Sequence, residues 1–311
     1  METRPTATRN KFLSRLKREA PYHVIILVAV AFVAVFSYVP MAGLVIAFKD
    51  YHFGSGIFGS PWVGLKNFRL LFSDFRMNNA IANTVGIFLL STFISIPVTV
   101  LFALFLNEVK NVLFKRAVQT ISYLPHFISW AIMAVLLDAM LSPSGGVLNN
   151  LLVYLGVFKE PVFFLGRADL FWGTVIGASM WKELGWSAII YLAVITGIDE
   201  NLYEAARIDG AGRLARMWHI TLPSLRGIIC IILIMSFGSM AGTAFAQAFF
   251  LRNSLNYDRA NVLAYYVYEV GLRRMNFSYS TAIGLLLSLI SMALMLTANK
   301  VVKMIEGRGL F

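Results

Sequence analysis

Residues Tyr22 to Phe48 read YHVIILVAVAFVAVFSYVPMAGLVIAF. The run carries no Asp, Glu, Lys or Arg, and it exceeds the roughly 20 apolar residues that a helix needs to cross a bilayer. It also outruns the ~7–15-residue core of a signal peptide. No convincing small-x-small cleavage site with a soluble domain after it follows. The run is therefore read as a retained first span. Five further apolar segments lie at about 81–106, 118–141, 170–198, 228–251 and 279–303. Each is long enough to span, some with tilt. The sequence thus predicts an all-α integral membrane protein of six spans. Pro40 and Pro97 fall inside apolar runs and predict kinks, which a packed bundle absorbs.

Composition agrees with this class. The chain of 311 residues is 58% hydrophobic and 14% charged, whereas a soluble domain carries about a quarter charged residues. The formal charge of +11 is read as basic loops that set topology and meet anionic lipid, not as a nucleic-acid surface. Cys230 is the single cysteine, so no intrachain disulfide is possible.

Lys and Arg fix the direction of threading. With the N-terminus inside, the inner segments carry Arg4, Arg9, Lys11, Arg15, Lys17 and Arg18, then Lys110, Lys115 and Arg116. Arg207, Arg213, Arg216 and Arg226 follow, then Lys300, Lys303 and Arg308. The outer loops carry fewer over more residues, and the bias places both termini in the cytoplasm. The segment Asn10 to Arg18, with Phe12, Leu13 and Leu16 among basic residues, has the pattern of a short interfacial helix. In the first outer loop Gly54, Gly56, Gly59, Pro61 and Gly64 punctuate turns. That loop is read as ordered, with a docking surface as the alternative.

Several chemistries are missing. No G-x-x-x-x-G-K-[ST] phosphate loop is present, so the chain is not expected to hydrolyse ATP. No H-E-x-x-H or paired Cys-x-x-Cys offers a metal site. His23, His52, His126 and His219 are scattered and are read as structural. Ser144-Gly145-Gly146 is a turn and not a nucleophile elbow.

The fourth and fifth spans are separated by residues 199–227, a charged stretch between two apolar ones. Asp199 or Asn201 can cap a short helix. Glu204 is placed in its first turn, where the helix dipole favours a carboxylate by about 0.3–1 kcal/mol. Ala205 and Ile208 share a face, and the alanines keep it narrow enough for close approach. Asp209-Gly210 reads as a helix stop. A second helical stretch, Arg213 to His219, presents Leu214, Met217 and Trp218. Thr221 is expected to cap the next helix, with Pro223 in its first turn.

The spacing in this stretch is long and specific. Glu204-Ala205-Ala206, three residues, Gly210, nine residues, then Ile220-x-Leu222-Pro223 resembles the EAA loop of permease subunits of binding-protein-dependent ABC importers. Asp209 and Ala211 fit the D-G-A extension of that motif. The resemblance covers roughly residues 79–303. Ser37-Tyr38-Val39-Pro40-Met41, Ala47-Phe48-Lys49-Asp50-Tyr51 and Trp62-Val63-Gly64-Leu65-Lys66-Asn67-Phe68 look like the sugar-permease group, closest to its oligosaccharide and polysaccharide branch with a lipoprotein receptor.

The resemblance implies a type I ABC importer fold and a coupling role for Glu204, Ala205, Ala206, Asp209, Gly210, Ala211, Ile220, Leu222 and Pro223. In the family this loop docks in a cleft of a cytoplasmic ATP-binding subunit. Glu204 would make polar contacts there, the alanines would permit close docking, and Gly210 would form the elbow. The implied partners are a second homologous permease, two ATPase subunits holding ATP and Mg, and an extracellular solute-binding lipoprotein. No cofactor is expected on this chain, and the implied setting is a bacterial plasma membrane.

Intramembrane polar residues are candidates for the substrate path, because a central charge costs about 2.5–3.5 kcal/mol on insertion scales. Lys182 and Glu183 fall near the middle of the fourth span and, as neighbours, are expected to point apart. Trp186, one turn on, offers a platform for a sugar ring. In the fifth span Ser236, Ser239, Thr243 and Gln247 are spaced by three or four residues along one stripe. Helix packing through small polar residues and lining of a cavity both remain open.

The chain is accordingly divided into a basic N-terminal segment (1–21), a first span with its outer loop (22–78), a permease core (79–303) and a tail (304–311). The expected function is the membrane path of an importer for a carbohydrate, an oligosaccharide foremost. A non-sugar solute within the same class and an ion-gradient-driven transporter stand as alternatives. The latter would call for acidic or histidine relays and an internal repeat.

Overall fold

The computed structural model describes the backbone of residues 6–307 and Gly309, and side chains from Glu19 to Met304. Among these residues every regular element is helical, and Lys49 and Trp62 form an isolated antiparallel bridge. The first helix, α1 (Thr6–Val33), runs on through a π-helical turn, Ala34–Tyr38, and a 3-10 stretch, Val39–Phe48. Pro40 lies in the first turn of the 3-10 stretch, just after the π-turn, and its missing N–H and bulky ring disrupt regular α-helical bonding. The short interfacial helix expected at Asn10 to Arg18 is instead the first part of α1. Its side chains, like Arg4 and Arg308, lie outside the described residues.

Helix α2 (Phe75–Glu108) starts earlier than expected because Asp74 caps it, accepting from the N–H groups of Arg76 (2.9 Å) and Met77 (3.4 Å). Pro97 does not break it. Helix α3 (Val112–Tyr123), capped by Asn111, ends in a 3-10 turn, Leu124–Phe127. Helix α4 (Trp130–Leu141), capped by Ser129, leaves at 106° to it. The third apolar run is therefore a broken element and not the straight span expected. Pro125 and the competing Ser129 cap are the sequence cause. Helix α5 (Ala168–Thr196) is continuous. Helix α6 (Glu200–Ile208) and α7 (Arg213–Ser224) follow. Helix α8 (Arg226–Gly238) is bent 53° from α7. After a 3-10 turn at Met240–Gly242, α9 (Phe245–Leu251) begins behind Ala244, which takes φ of +57°. Helix α10 (Phe277–Glu306) closes the bundle.

Three stretches are unbroken, long and apolar enough to cross a membrane: Glu19–Phe48, Phe75–Glu108 and Phe277–Met304. The bent pairs α3–α4 and α7–α8 raise the number to five. Helix α5 has the length for a sixth, at 29 residues, but it carries the neighbouring charges Lys182 and Glu183 in its middle.

Packing unites the two ends differently. At one end Val100, Ala103 and Leu104 of α2, Ala188, Tyr191 and Ile195 of α5, and Met217 and Leu225 form one buried cluster. At the other, Leu71, Met77, Tyr266, Tyr279 and Ile283 pack together. There Asp74 also accepts from the Tyr266 and Tyr279 hydroxyls, the latter at 2.8 Å. Burial raises the Asp74 carboxyl, but those two hydrogen bonds and the Arg76 and Met77 amides outweigh it and hold the group below the usual carboxylate range.

Candidate functional site

The charged stretch between α5 and α8 is built as two helices around a glycine elbow. Asp199 is the cap of α6, accepting from the Asn201 amide at 3.0 Å. Glu200 occupies the first turn; Glu204, expected there, lies one turn further in and is exposed. At the far end the Gly210 N–H donates to the Arg207 carbonyl (3.1 Å) and the Ala211 N–H to the Ala206 carbonyl (2.8 Å). This pair of bonds is a Schellman closure. It requires the φ of +78° that Gly210 adopts, a conformation glycine takes without a Cβ penalty. Glu204, Ala205, Ile208 and Asp209 are exposed, while Ala206 and Ala211 are half-buried against the fold. Ile208 is 87% exposed, so an apolar side chain projects at the C-terminal end of the helix.

Helix α7 differs from the expectation at its C-terminal half. Thr221 does not cap a new helix: it sits inside a π-helical turn, Met217–Thr221, with helical dihedrals and no cap bond. It is buried, and its hydroxyl meets the Tyr203 hydroxyl at 2.9 Å. Pro223 follows this turn, and the chain bends only at Leu225. The wider π-turn accommodates a residue with no N–H to give. Met217 and Leu225 are buried in the α2–α5 cluster, with Leu222 packed against it. Ile220 is half-buried and Pro223 exposed. The segment is thus tied at Thr221, Met217 and Leu225 to the core that holds the ends of α2 and α5.

The intramembrane charges form a cluster at the break between α3 and α4. Lys182 is buried, and its Nζ donates to the His126 carbonyl. That carbonyl lies at the C-terminal end of the broken helix, where a cation is favoured. The Glu183 carboxylate lies 2.7 Å from His126 Nδ1 and 3.3 Å from Lys182 Nζ. The expectation that Lys182 and Glu183 point apart is therefore corrected: the long, flexible lysine stem lets both reach the same break. His126 stacks on Trp186, ring centroids 4.3 Å apart and planes within 2°. Gly185 makes the approach possible, because a Cβ there would stand 2.3 Å from the Ser122 carbonyl oxygen.

Beside this cluster a cavity of about 560 Å³ is lined by Ser91, Thr92, Ser95 and Thr99 of α2, Trp186, Ser187 and Tyr191 of α5, and Ile232 and Ser236 of α8. A smaller one of about 100 Å³, sharing Ser95, Thr99 and Ser187, is lined by Glu183 and Ser179. Gln247 reaches the Ser179 hydroxyl at 3.3 Å. The stripe expected along one helix does not exist as such. The helix stops at Ser239, so Ser236 and Gln247 belong to different helices, and Ser239 and Thr243 line neither cavity. Ser239 bonds back to the Ser236 carbonyl at 3.0 Å.

The sequence gives no sign of the partners of His126, read as structural, because Lys182 and Glu183 lie more than 50 positions away. Sequence reasoning also missed the hydroxyl ladder of α2. The spacing of Ser91, Ser95 and Thr99 at every fourth residue was a visible signal.

Residues 95–308 match the family model described as a binding-protein-dependent transport system inner membrane component. The chain belongs to this family. It is 42% identical over 303 residues to the polygalacturonan/rhamnogalacturonan transport system permease protein YteP of Bacillus subtilis (strain 168), covering 97% of this chain and 94% of that one. It is 37% identical to Protein LplB of the same organism, over 96% and 94% of the two chains. Among solved structures, a bacterial ABC transporter involved in the import of the acidic polysaccharide alginate matches with TM-score 0.86 and 34% identity, over 95% of this chain and 99% of that one. A bacterial alginate ABC transporter in complex with alginate pentasaccharide-bound periplasmic protein matches with TM-score 0.87. The fold is that of a type I ABC importer permease, a non-catalytic membrane subunit. Membership in this family removes the ion-gradient-driven alternative.

Proposed function

We propose that this permease forms the path for an oligosaccharide and couples it to a separate ATPase through α6. The observation that carries the reading is the cavity beside Trp186, where hydroxyl groups from α2, α5 and α8 surround one aromatic face. A sugar ring presents an apolar face to an aromatic side chain and hydroxyls to polar groups, so this lining suits it. The similarity to a polygalacturonan/rhamnogalacturonan permease and to an alginate importer supports a carbohydrate.

In this reading Glu204, Ala205, Ala206, Asp209, Gly210 and Ala211 dock on an ATP-binding subunit, and Ile220, Leu222 and Pro223 carry the motion into α8. Ile208 seats in that subunit's cleft. Lys182, Glu183, Trp186, Ser236 and Gln247 belong to the path, while Ser239 and Thr243 act in the helix break. Both termini and α6 lie in the cytoplasm. ATP and Mg are held by the partner subunits, a second permease completes the path, and an extracellular lipoprotein delivers the sugar. The 1–21, 22–78, 79–303 and 304–311 divisions serve as N-terminal segment, first span with outer loop, core and tail.

The experiment is uptake into right-side-out vesicles holding this permease with its partner permease and ATPase, with ATP enclosed, the solute-binding lipoprotein supplied outside, and a panel of oligosaccharides and amino acids. ATP-dependent accumulation of an oligosaccharide supports the reading. Accumulation of amino acids alone, or uptake without the ATPase, refutes it.

A further inference from the structure

An apolar groove of about 350 Å³ lies where α7 meets α2, lined by Leu101, Leu104, Phe105, Leu214, Ala215, Met217 and Trp218. Its rim is open: Leu214 is 73% exposed, Trp218 60% and Phe105 57%. One wall is α2, an apolar membrane-crossing helix, so the groove opens toward the hydrocarbon region and not only toward water. Trp218 stands at its edge, the position an indole takes between hydrocarbon and headgroups. Charge around the groove has one sign on the α7 side. From Gly210 to Arg226 the chain carries Arg213, Arg216 and Arg226 and no carboxylate. Arg213 is exposed immediately beside Leu214. At the α2 end, Glu108 and Lys110 offset each other.

We propose that this groove is a binding site for one anionic phospholipid. An acyl chain lies against Leu101, Phe105, Leu214 and Trp218, and Arg213 holds the headgroup phosphate. A soluble ATPase does not reach a wall made by a membrane helix, and in a zwitterionic lipid the headgroup's own ammonium offsets the phosphate that Arg213 would hold. The bound lipid would brace α7 against α2, beside the segment proposed above to couple to the ATPase, but the site itself does not depend on that proposal.

The test is quenching of Trp218 emission by brominated lipid. The full chain, in its transporter complex, is placed in phosphatidylcholine nanodiscs doped with a small fraction of brominated phosphatidylglycerol or brominated phosphatidylcholine. Subtracting the Trp218→Phe spectrum isolates Trp218. Phosphatidylglycerol should quench it with roughly a fivefold preference, the fold-change of one basic contact near a membrane surface. Arg213→Gln should abolish that preference and leave quenching of the other tryptophans unchanged, which also reports that the variant is folded. Equal quenching by both lipids means bulk lipid only and overturns the proposal. Absence of quenching by either means that protein, such as the second permease, covers the groove, and overturns it as well.

Discussion

His126 and Trp186 lie face to face, one on the broken α3–α4 element and the other on α5, with ring planes within 2°. One face of the indole is therefore occupied by the protein itself, and the tryptophan also lines the larger cavity. Glu183, hydrogen-bonded to His126 at 2.7 Å, orients the imidazole. Replacing His126 with Phe keeps the stack and removes that bond. Replacing it with Ala removes both. His126→Ala is expected to raise the KM for uptake severalfold with ATPase coupling intact, and His126→Phe to raise it less. Equal KM values in both variants and wild type would remove Trp186 positioning from the account.

Lys182 satisfies a carbonyl that no helix can. Lys182→Met orphans the His126 carbonyl, and an unpaired buried acceptor costs about 1–3 kcal/mol. A lower thermal unfolding temperature in detergent, with partial recovery in Lys182→Arg, is the expected result. No change in unfolding temperature would mean that water replaces the ammonium.

Gly210 has open space around the position of a Cβ but a φ of +78°. The cost of any substitution there is conformational, about 1–2 kcal/mol for an ordinary L-residue. Asn, which tolerates the left-handed region, should retain coupled uptake, whereas Val should lose it. Glu204→Lys should leave the permease inserted and separate ATP hydrolysis from transport. The ratio of ATP hydrolysed to sugar accumulated in proteoliposomes is the measurement; normal ratios in Gly210→Val and Glu204→Lys together would sink the docking assignment of α6.

The Asp74 carboxyl is depressed in the folded protein. A depressed group contributes stability that is present above its unfolded pKa, about 3.9, and is lost as pH falls through the lower folded value. Asp74→Asn should therefore destabilise the protein at neutral pH, and its deficit relative to wild type should shrink below about pH 4. Tyr266→Phe should weaken the same effect. Unfolding curves across pH 3 to 7 (roughly the span of a carboxylate titration) check both; a pH-independent deficit would assign Asp74 a purely neutral capping role.

How much of this was readable in the chain depends on whether the cause was local. The spans followed from hydropathy, because lipid leaves no other way to satisfy the backbone. The elbow at Gly210 followed from Asp-Gly after a short amphipathic stretch. The role of Thr221 did not: its Tyr203 partner and its burial come from tertiary contacts, which overrode its preference for a cap. The break at Leu124–Phe127 was signalled by Pro125 but hidden in an apolar run. The Lys182–His126–Glu183 cluster was legible in part. The charges stood out, but their partner sits on another helix, and sequence alone cannot bring positions 126 and 182 together.

Helix α5 carries Lys182 and Glu183 in its middle, and the carbonyl that receives its lysine belongs to a segment made earlier by the ribosome. When α5 emerges, the broken α3–α4 element is already available to accept its hydrogen bond. Order of synthesis thus puts the acceptor in place before the lysine that uses it. Damage to this pairing should then register in the cell as retarded insertion and rapid turnover, before any defect in transport is measurable.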